Sequence, residues 1–269
     1  MSKQPVLEVK NLQQHFVSGR GKNRTVVKAV DDVSFTIYKG ETFGLVGESG
    51  SGKSSLLMAI PGLLSPQVTV EGAIIYDNIN LLTLNDSMLN SIRWKEIALV
   101  PQGAMNSFTP VLTIGEHIEE VLEVHLGLSG SVAKKRCASL LEEAELEVFL
   151  AKRYPHELSG GQKQRAAIAI ALACDPAFLL ADEPTTALDV ITQKEIISML
   201  ENLVKRRNMG MLFVTHDLPL ATHICDEIAV MKSGEIVEEG SPSKIVNAPR
   251  HSHTIQLVQA LKKIEGDLS

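Results

Sequence analysis

Residues 42–55 read Thr42-Phe-Gly-Leu-Val46, then Gly47-Glu48-Ser49-Gly50-Ser51-Gly52, then Lys53-Ser54-Ser55. The first five are a short apolar run behind a turn at Gly40, the pattern of a strand buried on both faces. From Ser54 to Leu63 the chain has helical character, which stops at Pro61-Gly62. Between strand and helix, Gly47 to Ser54 fits the phosphate-loop pattern in the context that the pattern requires. The glycines let the backbone curl so that successive N–H groups point inward, and the helix start adds its positive end to the same spot. Lys53 brings a full charge suited to the β- and γ-phosphates of ATP, and the Ser54 hydroxyl can ligate Mg²⁺. Residues Gly47 through Ser55 are therefore the candidate nucleotide contacts.

Outward from this loop the chain alternates strands and helices. Ala177 to Ala181 reads as a buried strand, and Ile196, Leu200 and Leu203 stand at helical spacing between Ile191 and Asn208. Met211 to Thr215 is the next strand, so this order predicts a crossover in a parallel sheet. Val6–Val9 and Val33–Ile37 alternate as half-buried strands, with Ser18 to Lys28 expected as a loop or hairpin excursion. Residues 103–159 read as an inserted helical subdomain, including a charged helix from Ala133 to Phe149. The expected organisation is an α/β core over 1–102 and 160–240, the helical insert over 103–159, and a short tail with a terminal helix over 241–269.

Asp182-Glu183 directly follows the strand ending at Ala181, and Pro184 prevents that strand from continuing. In open parallel sheets ligands gather at the carboxyl ends of strands. An acid there can hold Mg²⁺, and its neighbour can orient or deprotonate an attacking water. Leu158-Ser159-Gly160-Gly161-Gln162 opens a further helix that runs to about Cys174. Ser159 can cap it, and the exposed N–H groups and helix dipole suit a polyphosphate.

An LSGGQ run about 110 residues after a phosphate loop, with a hydrophobic-Asp-Glu sequence some 20 residues later, resembles the ABC-transporter ATPases over essentially the whole chain. The resemblance implies a P-loop NTPase (RecA-like) core with a parallel sheet, an N-terminal antiparallel β-subdomain and an inserted α-helical subdomain. It implies ATP hydrolysis with Mg²⁺, and a head-to-tail pair in which residues 158–162 close on ATP held by the partner's phosphate loop. It carries roles onto matching residues: Phe16 stacking on adenine, Gln102 reaching Mg²⁺ with Ser54 and Asp182, Asp189 contacting the partner subunit, and His216 at the γ-phosphate. Glu183, His216 and Lys53 are the expected catalytic residues. The D-loop reads Thr186-Ala-Leu-Asp189, with Thr where many members have Ser.

Tyr154-Pro-His-Glu-Leu-Ser-Gly-Gly161, Glu48-Ser-Gly-Ser51 and Pro249-Arg-His-Ser-His-Thr254 are similar to the peptide and nickel importer ATPases. The last run departs from the family's usual His-Pro-Tyr-Thr at Ser252 and His253. The absence of a cysteine cluster in the tail tilts the expectation slightly to the shorter nickel- or metallophore-type members. Such importers pair two ATPase subunits, here expected as a heterodimer although a homodimer stays open. Beside them stand two permeases and an extracytoplasmic binding protein. A soluble ABC ATPase serving iron–sulfur cluster assembly is the alternative, because the ATP chemistry is shared.

The net charge of −6 carries no basic excess, so no nucleic-acid partner is expected. The longest apolar stretches, such as Ala166 to Cys174, fall well short of the roughly 18 residues that span a bilayer. With no apolar leader in MSKQPVLEVK, the expected location is the cytoplasmic face of the inner membrane, reached through partners. Cys137, Cys174 and Cys225 are too scattered for a disulfide framework or metal site. His251-Ser-His253 reads as surface loop. The basic runs 134–136 and 205–207 read as solvated helix faces or helix ends.

Overall fold

The computed structural model describes residues 4–18 and 25–266. The chain divides into two compact units, Met1–Asn90 with Gly210–Ser269, and Ser91–Met209.

In the first unit, β1 (Pro5–Ser18) and β2 (Thr25–Tyr38) form a long antiparallel pair. With β4 (Val68–Tyr76) and β5 (Ile79–Asn80) they make a sheet ordered β2-β1-β4-β5. Leu7, Leu12, Val30, Val33, Ile37 and Ile74 are fully buried on one side of it. The expected excursion from Ser18 to Lys28 is shorter than the sequence suggests. Residues 25–28 belong to β2, with Val27 opposite Phe16 and Lys28 opposite His15, because Thr25-Val26-Val27 is β-branched and favours a pleated surface. Residues 19–24 lie outside the described residues. Both strands are bulged near Asn11 and Asp32, which take positive φ, and Asn11 Nδ2 donates to Asp32 Oδ1 at 2.9 Å.

The same unit holds β3 (Thr42–Val46), β8 (Gly210–Thr215), β9 (Glu227–Lys232) and β10 (Glu235–Gly240), ordered β10-β9-β3-β8. β3 is parallel to both β8 and β9, and every residue of β3 and β8 is buried. α1 (Lys53–Ala59) follows the phosphate loop and is shorter than the expected 54–63, since Pro61 has no N–H to continue the helix ladder and Gly62 turns the chain at φ +68. α2 (Asp86–Ile92) runs across the boundary between the units, and α7 (Leu218–Ile224), α8 (Pro242–Asn247) and α9 (Ser252–Gly266) belong to the first. The 251–253 segment is not a surface loop. Glu238 accepts from the backbone N–H groups of Arg250 and His251 at 2.8 and 2.9 Å. That contact folds the chain back, so α9 starts at Ser252 with His253 and Thr254 buried. Burial pushes the His253 imidazole below its ordinary pKa.

In the second unit, β6 (Ile97–Val100) runs parallel to β7 (Phe178–Asp182). Around them stand α3 (Ile114–Leu126), α4 (Gly130–Glu143), α5 (Gly160–Ala171) and α6 (Val190–Arg207). α5 packs against α3 and α4 and also against β6 and α6, so residues 91–102 and 160–209 are compact with the helical segment. The helix expected over 133–149 starts earlier and stops at Glu143. Glu145 takes φ +55, and Arg165 captures both its carboxylate and the Ala144 carbonyl. The turn buries Leu146 and Leu150.

The two basic runs are only partly solvated. Arg136 and Arg207, with side chains 23% and 14% exposed, converge on Glu143 and Asp175. Arg207 Nη2 meets Glu143 Oε2 at 2.5 Å, and Arg207 Nη1 meets Asp175 Oδ1 at 2.8 Å. Desolvation pushes the Glu143 carboxyl up, but the Arg207 hydrogen bond and charge, with Arg136, outweigh it and hold the pKa below the usual value. A depressed carboxyl pKa contributes stability above its unfolded value, and that contribution is lost as pH falls through the folded value. Glu143→Gln is expected to lower stability by about 2 kcal/mol at pH 7, less than for a fully buried pair. The gap should narrow below about pH 4. Urea unfolding at both pH values checks this, and an equal gap at both would refute the ion-pair account.

Candidate functional site

In the first unit the phosphate loop leaves β3 after Val46, whose register partners are Thr215 on β8 and Val230 on β9. The loop is tightly enclosed. A Cβ on Gly47 would sit 2.3 Å from the Met231 carbonyl oxygen, and one on Gly52 would sit 2.1 Å from that of Ala29. Gly52 also takes φ +106, which only glycine adopts readily. The Gly234 N–H donates to Ser51 O at 2.9 Å, tying the loop to the β9–β10 turn. Lys53 is 6% exposed, and its Nζ donates to Gly47 O and Glu48 O, both at 2.8 Å. The ammonium thus lies folded across the mouth of the loop. Ser54 is exposed one residue further on, and Ser55 is half-buried.

His216 immediately follows Thr215, so it leaves the sheet at the same level as the phosphate loop, and it is exposed. Its neighbours set the turn. Thr215 Oγ1 accepts from Asp217 N, and Asp217 caps α7 by accepting from Leu220 N, both at 3.0 Å. Phe16 lies on β1 between Val27 and Val68 and is 36% exposed. Its ring therefore presents an apolar face to solvent, as a stacking platform would.

In the second unit Asp182 is the last residue of β7 rather than the first beyond it, and it is 2% exposed. The strand's pairing with β6 ends one residue earlier, at Ala181 opposite Val100. Glu183 then takes φ +45, a strained conformation for a non-glycine residue of the kind that gathers at functional sites. Its Oε2 accepts from Gln102 Nε2 at 3.0 Å and from Thr186 Oγ1 at 3.0 Å. The structure therefore brings Gln102 and Glu183 together across 81 residues of sequence.

Ser159 caps α5 in a reciprocal capping box. Its Oγ accepts from Gln162 N at 3.3 Å, while Gln162 Oε1 accepts from Ser159 N at 2.9 Å. Leu158 is buried behind it. Asp189 caps α6, accepting from Ile191 N, Thr192 N and Thr192 Oγ1 at 3.1, 3.0 and 2.7 Å. The bonds from Thr192 hold its carboxyl below the ordinary pKa. Thr192 also fills the space over Gly161, where a Cβ would meet its methyl at 2.6 Å. Residues 159–162 and 187–189 consequently line one cavity of about 400 Å³, with Arg165 and Glu195 at its edge.

A family model described as ABC transporter matches residues 30–186. The chain belongs to the ABC transporter family, and its activity class is ATP hydrolysis. It is 40% identical over 98% of its length to the oligopeptide transport ATP-binding protein OppD of Haemophilus influenzae, covering 81% of that protein. It is 44% identical, over 98% of this chain and 79% of the relative, to a putative peptide import ATP-binding protein of Brucella melitensis. Among solved structures, a dimeric post-hydrolysis state of the ATP-binding cassette MJ0796 bound to ADP and Pi is similar, with TM-score 0.76 and 36% identity. That match covers 88% of this chain and 98% of that one. cbiO1 from Clostridium perfringens, part of the ABC transporter complex cbiONQ, matches with TM-score 0.78 and 26% identity over 99% of both chains.

Ser54 in the first unit, and Gln102 and Asp182 in the second, each carry an oxygen donor, the class of ligand that Mg²⁺ takes. Two contributors escape a reading by motif, namely the Thr186 hydroxyl on Glu183 and the Thr192 link between Gly161 and Asp189. The hydroxyl at 186 was visible in the sequence, but its partner was not. Among the described residues no helix is long and apolar enough to cross a membrane.

Proposed function

We propose that this chain is the ATPase subunit of a peptide importer, working at the cytoplasmic face of the inner membrane. It would pair with a second ABC ATPase, beneath two permeases served by an extracytoplasmic binding protein. The observation that carries this reading is 40% identity over 98% of the chain to an oligopeptide transport subunit, in a sequence that has the phosphate-loop, LSGGQ and Asp182-Glu183 motifs. The nucleotide-contact residues Gly47 to Ser55 would hold the phosphates, with Lys53 turning from the loop carbonyls to the β- and γ-phosphates. Phe16 would stack on adenine. Ser54, Gln102 and Asp182 would hold Mg²⁺, which when bound supplies neutralisation of the phosphate charge.

Glu183 would take the proton of the attacking water, and His216 would contact the γ-phosphate. Residues 158–162 would close on ATP held by the partner subunit, with Asp189 beside them. ATP binding would then close the pair, and hydrolysis with product release would reopen it. The carbonyl end of the Gln102 amide is the end a cation would take, since its nitrogen faces Glu183.

Isolation of the chain from gently solubilised native membranes tests the assignment. Two integral membrane proteins and a second LSGGQ-bearing ATPase are expected to accompany it, with turnover stimulated by peptide-loaded binding protein. Recovery from the soluble fraction alone would transfer the reading to a permease-free assembly factor. Stimulation by a metal chelate but not by peptide would transfer it to the nickel-type branch.

A further inference from the structure

Glu183 cannot be aimed by strand geometry, because its backbone leaves the β region at φ +45 directly after β7. Gln102 and Thr186 both donate to its carboxylate, and they differ in origin. Gln102 reaches it from a segment 81 residues away, whereas Thr186 sits in the same turn. That turn is closed twice. Thr186 N donates to Glu183 O at 3.1 Å, and Thr186 Oγ1 donates to Glu183 Oε2 at 3.0 Å. Pro184 stiffens the intervening backbone by fixing its own φ. Leu188 N bonds Thr185 O at 3.3 Å, and Thr185 is buried, so the turn is anchored at its centre.

We propose that Thr186 is a positioning residue for hydrolysis. Its hydroxyl aims the Glu183 carboxylate at the attacking water and moves with it, independent of Gln102. The inference rests on the general-base reading of Glu183. The physical reason is that a donor in the same closed turn moves with the carboxylate, while a donor on a separate segment need not. Misplacement of a catalytic base by a fraction of an ångström is felt in the chemical step and not in ground-state nucleotide binding.

The test uses the full chain with whatever subunits accompany it from its native membranes, measuring kcat and KM for ATP. Thr186→Val keeps the shape and removes the hydroxyl. It is expected to lower kcat about tenfold with KM within about twofold of wild type. Thr186→Ser restores the hydroxyl and is expected to recover kcat to within about twofold. An unchanged kcat in Thr186→Val overturns the proposal. So does a Thr186→Ser variant as slow as the Val variant, which would place the effect in the methyl group. A fall in kcat matched by an equal rise in KM would make the turn a general structural element and also overturn it. Glu183→Gln is measured in parallel. Wild-type turnover there removes the base reading and this inference with it, whereas loss of turnover beside an unaffected Thr186→Val removes Thr186 alone.

Discussion

Replacing Glu183 with Gln is expected to lower ATP turnover by a factor of about 100 or more while ATP affinity stays within about twofold. The substitution is close to isosteric, and its amide oxygen can still accept from Gln102 and Thr186, which bond Glu183 Oε2 at 3.0 Å each. The turn with φ +45 is retained. What disappears is the capacity to take a proton from water, and general-base catalysis contributes about 10² to 10⁴ in rate. Steady-state phosphate release and equilibrium binding of a fluorescent ATP analogue separate the two quantities. Turnover near the wild-type rate would remove Glu183 from the chemical step and return its strained backbone to a purely structural account.

Lys53→Ala is expected to act on the other quantity, weakening ATP binding about 100-fold or more. The Lys53 ammonium is buried and held by the Gly47 and Glu48 carbonyls at 2.8 Å, so it is already at the loop mouth where a triphosphate would arrive. A charge-assisted hydrogen bond is roughly twice as strong as a neutral one, and a factor of 100 corresponds to about 2.8 kcal/mol. Calorimetric titration with ATP and Mg²⁺ measures the loss, and a thermal melt shows whether the fold survives the loss of two carbonyl partners. Unchanged affinity in a folded variant would contradict the assignment of residues 47–55 as the phosphate cradle. The two substitutions thus dissect binding from chemistry, because one residue meets ground-state charge and the other meets a proton in flight.

Much of this architecture was legible in the residues because its determinants are local. The glycines at 47 and 52, Lys53 and the buried strand Thr42–Val46 lie within a dozen positions of one another. Ser159 and Gln162 form their capping box across three residues, so a reading of that helix start needs no tertiary contact. Errors arose where distant residues intervened. The helix expected to reach Phe149 ends at Glu143 because Arg165, on α5, captures the chain just beyond it. The run at 251–253 looked solvated, yet Glu238, on β10, accepts the backbone N–H groups of Arg250 and His251 and draws the chain inward. The basic runs at 134–136 and 205–207 looked alike, yet Arg136 and Arg207 meet over two carboxylates, Glu143 and Asp175, that neither run contains.

By itself the sequence determined the family, the strand–loop–helix around the phosphates and the chemical types at each candidate position. Those follow from backbone sterics and side-chain chemistry over a few residues. Only the tertiary structure decided which donors hold the Glu183 carboxylate, and that Gly161 and Asp189 share Thr192. A hydrogen bond between distant residues depends on how β6, β7, α5 and α6 pack. Periodicity records which face of an element is buried, not which partner it meets.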